Sequence, residues 1–553
     1  MFNDVIKLKE SSSHLLSWQL NDRQICDLEL LLNGAFNPLK GFMDKDDYNS
    51  VRDNMRLANG DLWPIPINLD VTENFSEQIN FGDKIVLRDK EGFPLAILTI
   101  SDIWKPNLLL EAELVYGTKD INHPGVNYLL NSTNKFYVGG TLNGISYPRH
   151  YDYLKFRHSP EDLKKVFKNL GWEKIIAFQT RNPLHCAHVE MTKRALNENN
   201  AKLLIHPVVG MTKPGDVNHH TRLRCYQSVL KRYEEGDAIL SLIPLAMRMG
   251  GPREAVWHAI IRQNYGCSHL IVGRDHAGPG RDSNGQEFYG AYDAQNLLMK
   301  YQDEIGIKMI PFKFMVYLPK EDKYEVIDDV KKGVNFKTIS GTELRSLLDQ
   351  GKGIPSWFTY PEVAKELERS IPPLNKRGIT IFFTGLSGSG KSTLANGLMV
   401  KLFEEGSRTV TLLDGDIVRT HLSNELGFSK EHRSINVQRI GYVASEITKN
   451  KGIAICAPIA PYEIDRNINR DLISSYGGYI EIFVNTPLEK CEERDSKGLY
   501  KLARKGIIKE FTGISDPYEK PLNPEIIIDS SNQNPEELVD VLYSKIQQLG
   551  YLK

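Results

Sequence analysis

Two patterns of apolar and polar positions follow each other along this chain. In the opening region, the short apolar runs Lys84–Leu87 and Pro94–Ile100 flank the turn-forming sequence Asp89-Lys90-Glu91-Gly92, which predicts a β-hairpin. The prolines within Trp63–Leu69 favour extended chain and exclude a helix there. We therefore expect residues 1–165 to form a β-rich domain.

A regular alternation of strands and helices begins near residue 166. Buried strands are predicted at Lys174–Phe178, Leu203–Val209, Ile239–Pro244 and His269–Val272, and helices at Ala187–Leu196 and Arg253–Tyr265. This alternation is typical of a parallel sheet covered on both faces, and it is expected to end near residue 371. Because ligands bind such sheets at the carboxyl ends of the strands, a site is expected there.

A linker is predicted at residues 372–378, which contain two prolines, charged residues and a glycine. The alternation then restarts, with strands predicted at Thr380–Phe383, Thr409–Leu413, Ile453–Cys456 and Tyr479–Val484. Residues 379–553 are therefore expected to form a second α/β domain. The predicted fold class is multidomain α/β with a β-rich domain first.

Composition excludes several classes of protein. The 553 residues suffice for about three or four domains, and 69 basic against 70 acidic residues leave a formal charge of −1. That balance gives no electrostatic reason to expect nucleic acid or an acidic membrane as partner. No two of the six cysteines form a Cys-x-x-Cys pair, and no apolar run approaches the length of a membrane span. A cytoplasmic enzyme with small-molecule substrates is the expectation.

The clearest chemical signal is a phosphate-binding loop. The sequence Gly385-Leu386-Ser387-Gly388-Ser389-Gly390-Lys391-Ser392-Thr393 fits G-x-x-x-x-G-K-[ST], between an apolar strand and a helix-forming run. Its glycines let backbone N–H groups surround phosphate oxygens at a helix N-terminus. Lys391 is expected to reach the β- and γ-phosphates of ATP, and Ser392 to hold Mg²⁺. The alternative is a glycine-rich turn that matches the motif by chance. Such a turn would not be expected to have a strand before it and a lysine and a helix after it at the right positions.

Candidate acceptor-binding residues follow the phosphate-binding loop. Asp414 and Asp416 come at the end of the next predicted strand, where one could bind Mg²⁺ through water or accept the proton of an attacking hydroxyl. Further on come two cations, an aromatic and an amide: Arg419, Arg433, Phe428 and Asn436. Taken singly, each of these is more often a solvated surface residue or part of the core.

Taken together, these residues resemble adenylylsulfate kinase. Asp-Gly-Asp-x-x-Arg, Gly-Phe-Ser, Arg-x-x-Asn-x-x-Arg and the segment Lys501–Gly506, which looks like the family's lid, occur in family order. The resemblance implies that ATP phosphorylates the ribose 3′-hydroxyl of adenylylsulfate with assistance from Asp416, a second ligand for Mg²⁺. Where many members read Ser-Pro-Tyr-Arg, this chain has Ala460 and Glu463 at the two ends. Ser515 and Gln438 also depart from the family pattern, so an active kinase with altered acceptor affinity is expected.

A second candidate site follows the strand that ends at Phe178. There the sequence reads Gln179-Thr180-Arg181-Asn182-Pro183-Leu184-His185-Cys186-Ala187-His188. His185 and His188 share one face of the predicted helix and can donate to phosphate oxygens at its N-terminus. Arg181 adds a bidentate anion ligand. The two histidines could instead bind a metal, although no third ligand lies nearby in sequence, or be structural.

A second loop favours the phosphate interpretation. His269–Val272 leads into Gly273-Arg274-Asp275-His276-Ala277-Gly278-Pro279-Gly280, which is cationic, glycine-rich and again at the carboxyl end of a strand. Alone, this loop could be ordinary surface.

The two loops together resemble ATP sulfurylase. The motifs at residues 34–39, 212–216, 251–255 and 340–345 stand in family order with them. The resemblance implies a PUA-like first domain and a nucleotidylyltransferase α/β domain. It also implies that Gln179, Arg181 and the backbone near Ala277 hold sulfate, while Thr180, Asn182, His185 and His188 orient and stabilise the phosphates of ATP. Gly273–His276 and Met315 would contact adenosine.

The sequence therefore predicts two-step sulfate activation, from sulfate to adenylylsulfate and on to 3′-phosphoadenylylsulfate, with ATP and Mg²⁺. Two alternatives stay open: a sulfurylase with a non-catalytic regulatory kinase-like domain, and a sulfurylase that runs in the ATP-forming direction. A non-enzymatic nucleotide-binding scaffold would leave two sets of phosphate-handling residues unexplained. A homo-oligomer is expected by family analogy.

Overall fold

The computed structural model describes residue 10 and residues 12–213, 216–406, 408–495 and 497–553. The chain divides into two compact units, one of residues 1–339 with 355–366 and the other of residues 340–354 with 367–553. Within the described residues, no helix combines the length and the apolar character needed to span a bilayer.

A six-stranded sheet forms the β-rich part of the first unit. Its strands run in the spatial order β1-β4-β5-β6-β2, and β3 also pairs with β6. They are β1 Ser17–Gln19, β2 Gly41–Phe42, β3 Leu69–Val71, β4 Lys84–Arg88, β5 Pro94–Trp104 and β6 Phe136–Gly144. The predicted hairpin is confirmed, because β4 and β5 pair antiparallel and the Asp89 N–H donates to the Phe93 carbonyl at 3.1 Å. Gly92 closes this turn with φ 88°, a conformation that suits glycine.

Six helices accompany this sheet: α1 Asp22–Leu32, α2 Lys45–Asn54, α3 Glu73–Ser76, α4 Leu108–Tyr116, α5 Pro124–Asn131 and α6 Pro160–Asn169. Local sequence explains where they begin. Asn21 starts α1 with a capping box, in which its side chain accepts from the Gln24 N–H and the Gln24 side chain accepts from the Asn21 N–H. Ser159 and Asp162 do the same for α6.

A five-stranded parallel sheet follows, as the alternation predicts. Its spatial order is β11-β10-β7-β8-β9. The strands are β7 Ile175–Phe178, β8 Lys202–Ile205, β9 Ala238–Leu240, β10 His269–Val272 and β11 Lys308–Pro311. The helices are α7 Cys186–Asn199, α8 His219–Leu230, α9 Gly251–Asn264 and α10 Asp293–Ile305.

Two of the strands predicted for this sheet are shorter than expected. β8 ends at Ile205 and β9 at Leu240, after which only an isolated bridge joins Val208 to Ile243. Pro207 lies between β8 and that bridge. Because proline has no N–H to give to the ladder, it ends a central strand. The apolar runs continue past the strands because their side chains remain buried.

A two-stranded antiparallel hairpin, β12 Met315–Leu318 and β13 Lys323–Val326, completes the strands of the first unit. Two helices follow in the chain, α11 Gly341–Asp349 and α12 Pro361–Ser370. The segment predicted as a linker contains a 3-10 turn at Leu374–Lys376.

The second unit is built on another five-stranded parallel sheet, with the order β15-β16-β14-β17-β18. Its strands are β14 Ile379–Thr384, β15 Val410–Asp414, β16 Ile453–Ala457, β17 Gly478–Val484 and β18 Ile526–Ile528. Its helices are α13 Lys391–Glu405, α14 Gly415–Leu422, α15 Lys430–Lys449, α16 Glu463–Ser474, α17 Leu488–Glu493, α18 Leu499–Arg504 and α19 Pro535–Gln548. All six residues of the central strand β14 are buried, so this strand anchors the loop that follows it.

Candidate functional site

A cavity of about 550 Å³ opens at the carboxyl ends of β7 and β10. Ten residues predicted for the first site line it: Gln179, Thr180, Arg181, Asn182, His188, Gly273, Arg274, Asp275, His276 and Ala277. The two loops are about 90 residues apart in sequence, and the adjacent pairing of β7 with β10 brings them to one sheet edge. Pro214 and Gly215 of the motif at residues 212–216 lie outside the described residues.

The loop after β7 is held by its own polar groups. The Thr180 hydroxyl donates to the Asn182 carbonyl at 2.9 Å and accepts from the Asn182 N–H at 3.1 Å. The Tyr226 hydroxyl donates to the same carbonyl at 2.8 Å. Thr180 and Asn182 therefore fix the turn that presents Arg181 to the cavity.

Arg181 is neutralised by an acid that sequence reasoning quoted in a motif but did not pair with it. Its Nη1 donates to both carboxylate oxygens of Asp216, at 2.6 and 2.9 Å. The side chains of both residues are mostly buried, so solvent screens this ion pair less than a surface pair.

The two histidines predicted as phosphate donors occupy different surroundings. His188 lines the cavity, and its Nδ1 accepts from the His185 backbone N–H at 3.1 Å. His185 begins α7 as its N-cap, packs against the Phe358 ring in a tilted arrangement and contacts the Thr359 hydroxyl through Nδ1 at 2.9 Å. Burial lowers the pKa of His185 to about 3, with a contribution from His188, and lowers the pKa of His188 to about 4. Both rings are neutral at physiological pH, so the bond at Nδ1 of His188 leaves its proton on Nε2.

The loop after β10 depends on unusual backbone geometry. Asp275 and Ala277 have φ of 52° and 54°, and a Cβ on Gly278 would lie 1.8 Å from Asp275 Oδ1. A side chain at position 278 would therefore require the Asp275 carboxylate to move, which gives one reason for a glycine of the motif. Burial raises the pKa of Asp275, and neighbouring Glu287 adds to this effect.

A buried polar relay contacts two residues that line the cavity, Gln179 and His276, and sequence reasoning missed its central residue. His258 Nδ1 lies 2.9 Å from Gln179 Nε2 and 3.0 Å from His276 Nε2, and His258 Nε2 lies 3.2 Å from Glu254 Oε1. Glu254 and His258 are fully buried. Burial alone would raise the pKa of Glu254, but bonds from His258 and from the Arg248 and Gly250 N–H groups lower it.

The relay fixes the orientation of the Gln179 amide. Because the Glu254 carboxylate accepts the Nε2 proton of His258, Nδ1 of that ring is an acceptor and favours the NH₂ end of Gln179. Its single lone pair is shared with His276 Nε2, which lies 3.0 Å away. The i, i+4 spacing of Glu254 and His258 on α9 was the available sequence signal.

Apolar residues complete the cavity. Met247, Tyr289, Phe312 and Phe314 line it, and none of them was singled out from the sequence. Met315, the predicted adenosine contact, is buried on β12, and the cavity lining described above does not include it.

The phosphate-binding loop of the second unit has the expected form between β14 and α13. Gly385, Gly388 and Gly390 have φ of 149°, 73° and 99°. Lys391 is folded back, and its Nζ donates to the carbonyls of Gly385 at 2.9 Å and Leu386 at 2.7 Å. Burial lowers the pKa of Lys391 to about 8. The lysine therefore lies over the loop that would receive phosphates.

The two predicted aspartates have different partners. Asp414 ends β15, accepts from the Ser392 hydroxyl at 3.0 Å and caps α14 by accepting from the Asp416 N–H at 3.0 Å. The Asp416 carboxylate is exposed and pairs with Lys497. Thr393 follows Ser392 in the first turn of α13.

The predicted acceptor-binding residues form two groups. Arg419 stacks over Phe428 with its guanidinium carbon 4.4 Å from the ring centroid, and Phe428 is 67% exposed. Arg433 is buried, donates to the Thr512 hydroxyl at 2.8 Å and pairs with Asp516 at 2.8 Å. Asn436 is also buried, and its Oδ1 has no partner among the described residues.

The positions that depart from the kinase pattern have structural partners. Ala460 has φ 45°, and its carbonyl accepts from Arg466 Nη1 at 2.7 Å. Glu463 pairs with the same arginine, which also pairs with Glu481 at 3.0 Å. Ser515 Oγ accepts from the Phe511 N–H at 2.9 Å, and Gln438 donates to Asp465 at 3.1 Å. Glu463 is thus part of a buried charge network.

Three family models match consecutive parts of the chain. A PUA-like domain matches residues 3–147, ATP-sulfurylase residues 154–370, and adenylylsulphate kinase residues 377–529. The predicted fold class is confirmed by these matches and by the parallel sheets.

Similar proteins cover nearly the whole chain. A sulfate adenylyltransferase of Mycosarcoma maydis is 51% identical over 538 residues, covering 96% of this chain and 94% of that protein. One of Chaetomium globosum is 50% identical over 549 residues, covering 99% and 96%. A solved structure described as a hexameric APS kinase from Thiobacillus denitrificans matches with a TM-score of 0.81 and 36% identity, covering 100% and 97%. With half of its residues shared over almost the full length of the two sulfate adenylyltransferases, the chain belongs to the sulfate adenylyltransferase family.

Proposed function

We propose that this chain activates sulfate in two steps at two separate nucleotide sites. In the first step ATP and sulfate give adenylylsulfate and pyrophosphate, and in the second a further ATP phosphorylates the 3′-hydroxyl of adenylylsulfate. The main support for this proposal is that one chain has two sites for phosphates. One is a complete phosphate-binding loop, and the other is a cavity lined by Arg181, His188 and the loop at residues 273–277.

In the first step, an oxygen of sulfate attacks the α-phosphorus of ATP as the bond to the β-phosphate oxygen breaks. Gln179, Arg181 and the backbone at Ala277 would hold sulfate. His188 would donate from Nε2 to a phosphate oxygen, with Thr180 and Asn182 fixing the loop and His185 fixing the start of α7. Residues 273–276 would contact adenosine, and the contact from Met315 is proposed from the family resemblance alone.

No general base is needed for this step, since sulfate is already an anion. The protein contributes position and charge stabilisation. The neutral state of His188 agrees with a role as a hydrogen-bond donor that does not require an imidazolium before ATP binds.

In the second step, the 3′-hydroxyl oxygen attacks the γ-phosphorus, its proton passes to Asp416, and ADP leaves. Lys391 and the backbone of residues 385–390 would hold the ATP phosphates, with Thr393 in the same first turn. Arg419, Phe428, Arg433 and Asn436 would bind adenylylsulfate. The unpaired Oδ1 of buried Asn436 supports a ligand contact there, since such an atom normally has a partner.

The donor set near the loop fits Mg²⁺. Ser392, Asp414 and Asp416 offer oxygen atoms, which this ion prefers, and Ser392 with Asp416 would hold it in part through water. When bound with ATP, Mg²⁺ supplies charge neutralisation on the phosphates.

The domain limits belong to the same proposal: a PUA-like domain at residues 1–165, a sulfurylase domain at 166–371, a linker at 372–378 and a kinase domain at 379–553. A cytoplasmic location and a homo-oligomer are also proposed, the latter supported by the hexameric relative.

Two alternatives make different predictions. A regulatory kinase-like domain would bind adenylylsulfate or its product without transferring a phosphate. The intact phosphate-binding loop argues against this alternative, since it keeps Gly385, Gly390, Lys391 and Ser392. A sulfurylase that runs towards ATP would use the same residues, so metabolite levels decide its direction.

The test is to incubate the full chain with ATP, Mg²⁺, labelled sulfate and inorganic pyrophosphatase, and to separate the labelled nucleotides. We expect label in 3′-phosphoadenylylsulfate for the wild type. Lys391→Ala should stop the label at adenylylsulfate, and His188→Ala should prevent either product from forming while phosphorylation of supplied adenylylsulfate survives. If the wild type forms labelled adenylylsulfate and no labelled 3′-phosphoadenylylsulfate, the kinase activity is absent and the regulatory alternative is favoured.

A further inference from the structure

Three metal-ligating side chains come together outside the residues that line the first cavity. They are Asp152, which precedes a 3-10 turn at Leu154–Phe156, and His219 and His220, the first two residues of α8. One ligand atom from each lies within 4.8 Å of the others. Asp152 Oδ2 is 3.0 Å from His219 Nε2 and 3.9 Å from His220 Nδ1. This is the only such group of three or more among the residues that the structure describes.

We propose that Asp152, His219 and His220 form a binding site for a divalent transition-metal ion of the zinc type. The site is separate from the two nucleotide sites and from Mg²⁺. It goes beyond the proposed function and does not depend on it.

The separations of the ligand atoms suit a small ion. Zinc bonds to nitrogen and oxygen are about 2.0–2.1 Å long, so two tetrahedral ligands lie about 3.3 Å apart. The two measured distances, 3.0 and 3.9 Å, lie on either side of that value. The His219 and His220 rings lie with their centroids 3.9 Å apart, so the exposed His220 ring would have to move away from His219 as its Nδ1 takes up the ion.

The chemistry of the ligands selects the class of ion. Two imidazole nitrogens and one carboxylate oxygen suit Zn²⁺ and its first-row neighbours, whereas Mg²⁺ and Ca²⁺ prefer oxygen alone. Side-chain exposures of 25%, 30% and 47% for Asp152, His219 and His220 let water complete the coordination.

Arg157 could compete with a metal ion for the Asp152 carboxylate, but it occupies only one of the two oxygens. It donates to Asp152 Oδ1 at 2.7 Å and to the Asp152 carbonyl at 3.1 Å, while the histidines face Oδ2. The arginine therefore orients the carboxylate from the far side, as outer partners of metal ligands do.

A bound ion would join two distant parts of the first unit. Asp152 and His219 are 67 residues apart in sequence, and the histidines begin the helix that follows Asp216. An ion that binds the folded chain and has no site in the unfolded chain raises the unfolding temperature.

The experiment is a calorimetric titration of the full chain with ZnCl₂, after treatment with EDTA and desalting, and with Co²⁺ absorption as a second readout. We expect one equivalent of zinc per chain. His219→Ala, His220→Ala and Asp152→Asn should each weaken zinc binding more than about tenfold, since even outer partners of metal ligands contribute about 10- to 100-fold. ZnCl₂ should raise the unfolding temperature of the wild type and not of these variants.

His421→Ala is the matched control, because His421 is an exposed histidine on α14 in the other unit. It should bind zinc as the wild type does. His220→Ala tests the site without disturbing the Asp152–Arg157 pair, and its unfolding temperature in EDTA should equal that of the wild type. Zinc binding that is absent in the wild type, or unchanged in all three variants, would overturn the proposal.

Discussion

Arg181 donates to both carboxylate oxygens of Asp216 through a single nitrogen, Nη1, at 2.6 and 2.9 Å. The cation proposed to hold sulfate is therefore already paired in the chain without ligand. A sulfate dianion that enters the cavity has to compete with this carboxylate for the guanidinium or share it.

Replacing Asp216 with asparagine tests that competition. Asp216→Asn keeps an acceptor oxygen near Arg181 but removes the negative charge. We expect the KM for sulfate to fall about fivefold, which corresponds to about 1 kcal/mol, the upper range for a partly exposed ion pair. Sulfurylase kinetics at fixed saturating ATP would measure it. An increase in the KM would mean instead that the carboxylate serves mainly to orient Arg181.

The relay from Glu254 through His258 to Gln179 gives a second prediction. Glu254→Gln replaces one carboxylate oxygen with an NH₂ group and so loses a bond from the Arg248 or the Gly250 N–H. Where the NH₂ group faces His258 Nε2, it donates to the ring, moves the ring proton to Nδ1 and reverses the preferred orientation of the Gln179 amide. We expect kcat/KM for sulfate to fall by up to about 100-fold, the cost of misplacing a positioning group. The effect should fall on sulfate far more than on ATP.

The control for the relay is a kinetic comparison of substrates and steps. In Glu254→Gln, phosphorylation of supplied adenylylsulfate should be unchanged, because that step belongs to the other nucleotide site. Equal losses in kcat/KM for sulfate and for ATP would indicate general damage to the first unit and contradict a role in orienting Gln179.

Sequence reasoning predicted the features whose causes are local. The phosphate-binding loop needs its glycines, its lysine and a flanking strand and helix, all within about 20 residues, so Gly385–Thr393 could be recognised directly. The parallel sheets followed from the spacing of apolar runs. The alternation of strands also predicted a site at the carboxyl ends of the strands, and the pairing of β7 with β10 brings their two loops together there.

Partners that meet only in the folded chain could not be predicted. Asp216 was quoted within a motif, but nothing in its spacing from Arg181 indicated an ion pair. His258 lies 79 residues from Gln179 and was not singled out from the sequence. The strand ends were wrong where Pro207 follows β8, because burial continues beyond the last ladder hydrogen bond. Whether Met315 contacts adenosine stays a prediction.

The pKa of Lys391 predicts the pH dependence of the second step. Burial lowers this pKa to about 8 in the chain without ATP, so the cationic form that attracts phosphates is present below about pH 8 and lost above it. We expect kcat/KM for ATP in the kinase step to decline above about pH 8. The phosphates of bound ATP favour the cation, so kcat should stay constant to higher pH.

Rate measurements with supplied adenylylsulfate between pH 6 and pH 10 would test this difference. The comparison of the two profiles matters most, since kcat/KM reports the free enzyme and kcat the bound complex. A kcat/KM that stays constant from pH 6 to pH 10 would contradict the lowered pKa of Lys391 in the free enzyme.

A buried ion pair predicts a large effect on stability in the first unit. Arg248 Nη2 donates to Asp27 Oδ2 at 2.5 Å, and both side chains are at most 3% exposed. Asp27→Ala leaves the guanidinium buried without its carboxylate, which is expected to cost about 3–5 kcal/mol in the free energy of unfolding. Glu73→Ala is the matched control, because the Glu73–Lys135 pair is exposed and solvent screens it, so its loss should leave the transition almost unchanged. Scanning calorimetry would measure the unfolding temperature of each variant. A chain of two units need not unfold in one step, so the comparison should use the transition at which sulfurylase activity is lost. Similar shifts in the two variants would mean that Arg248 finds another partner, such as water, when Asp27 is removed.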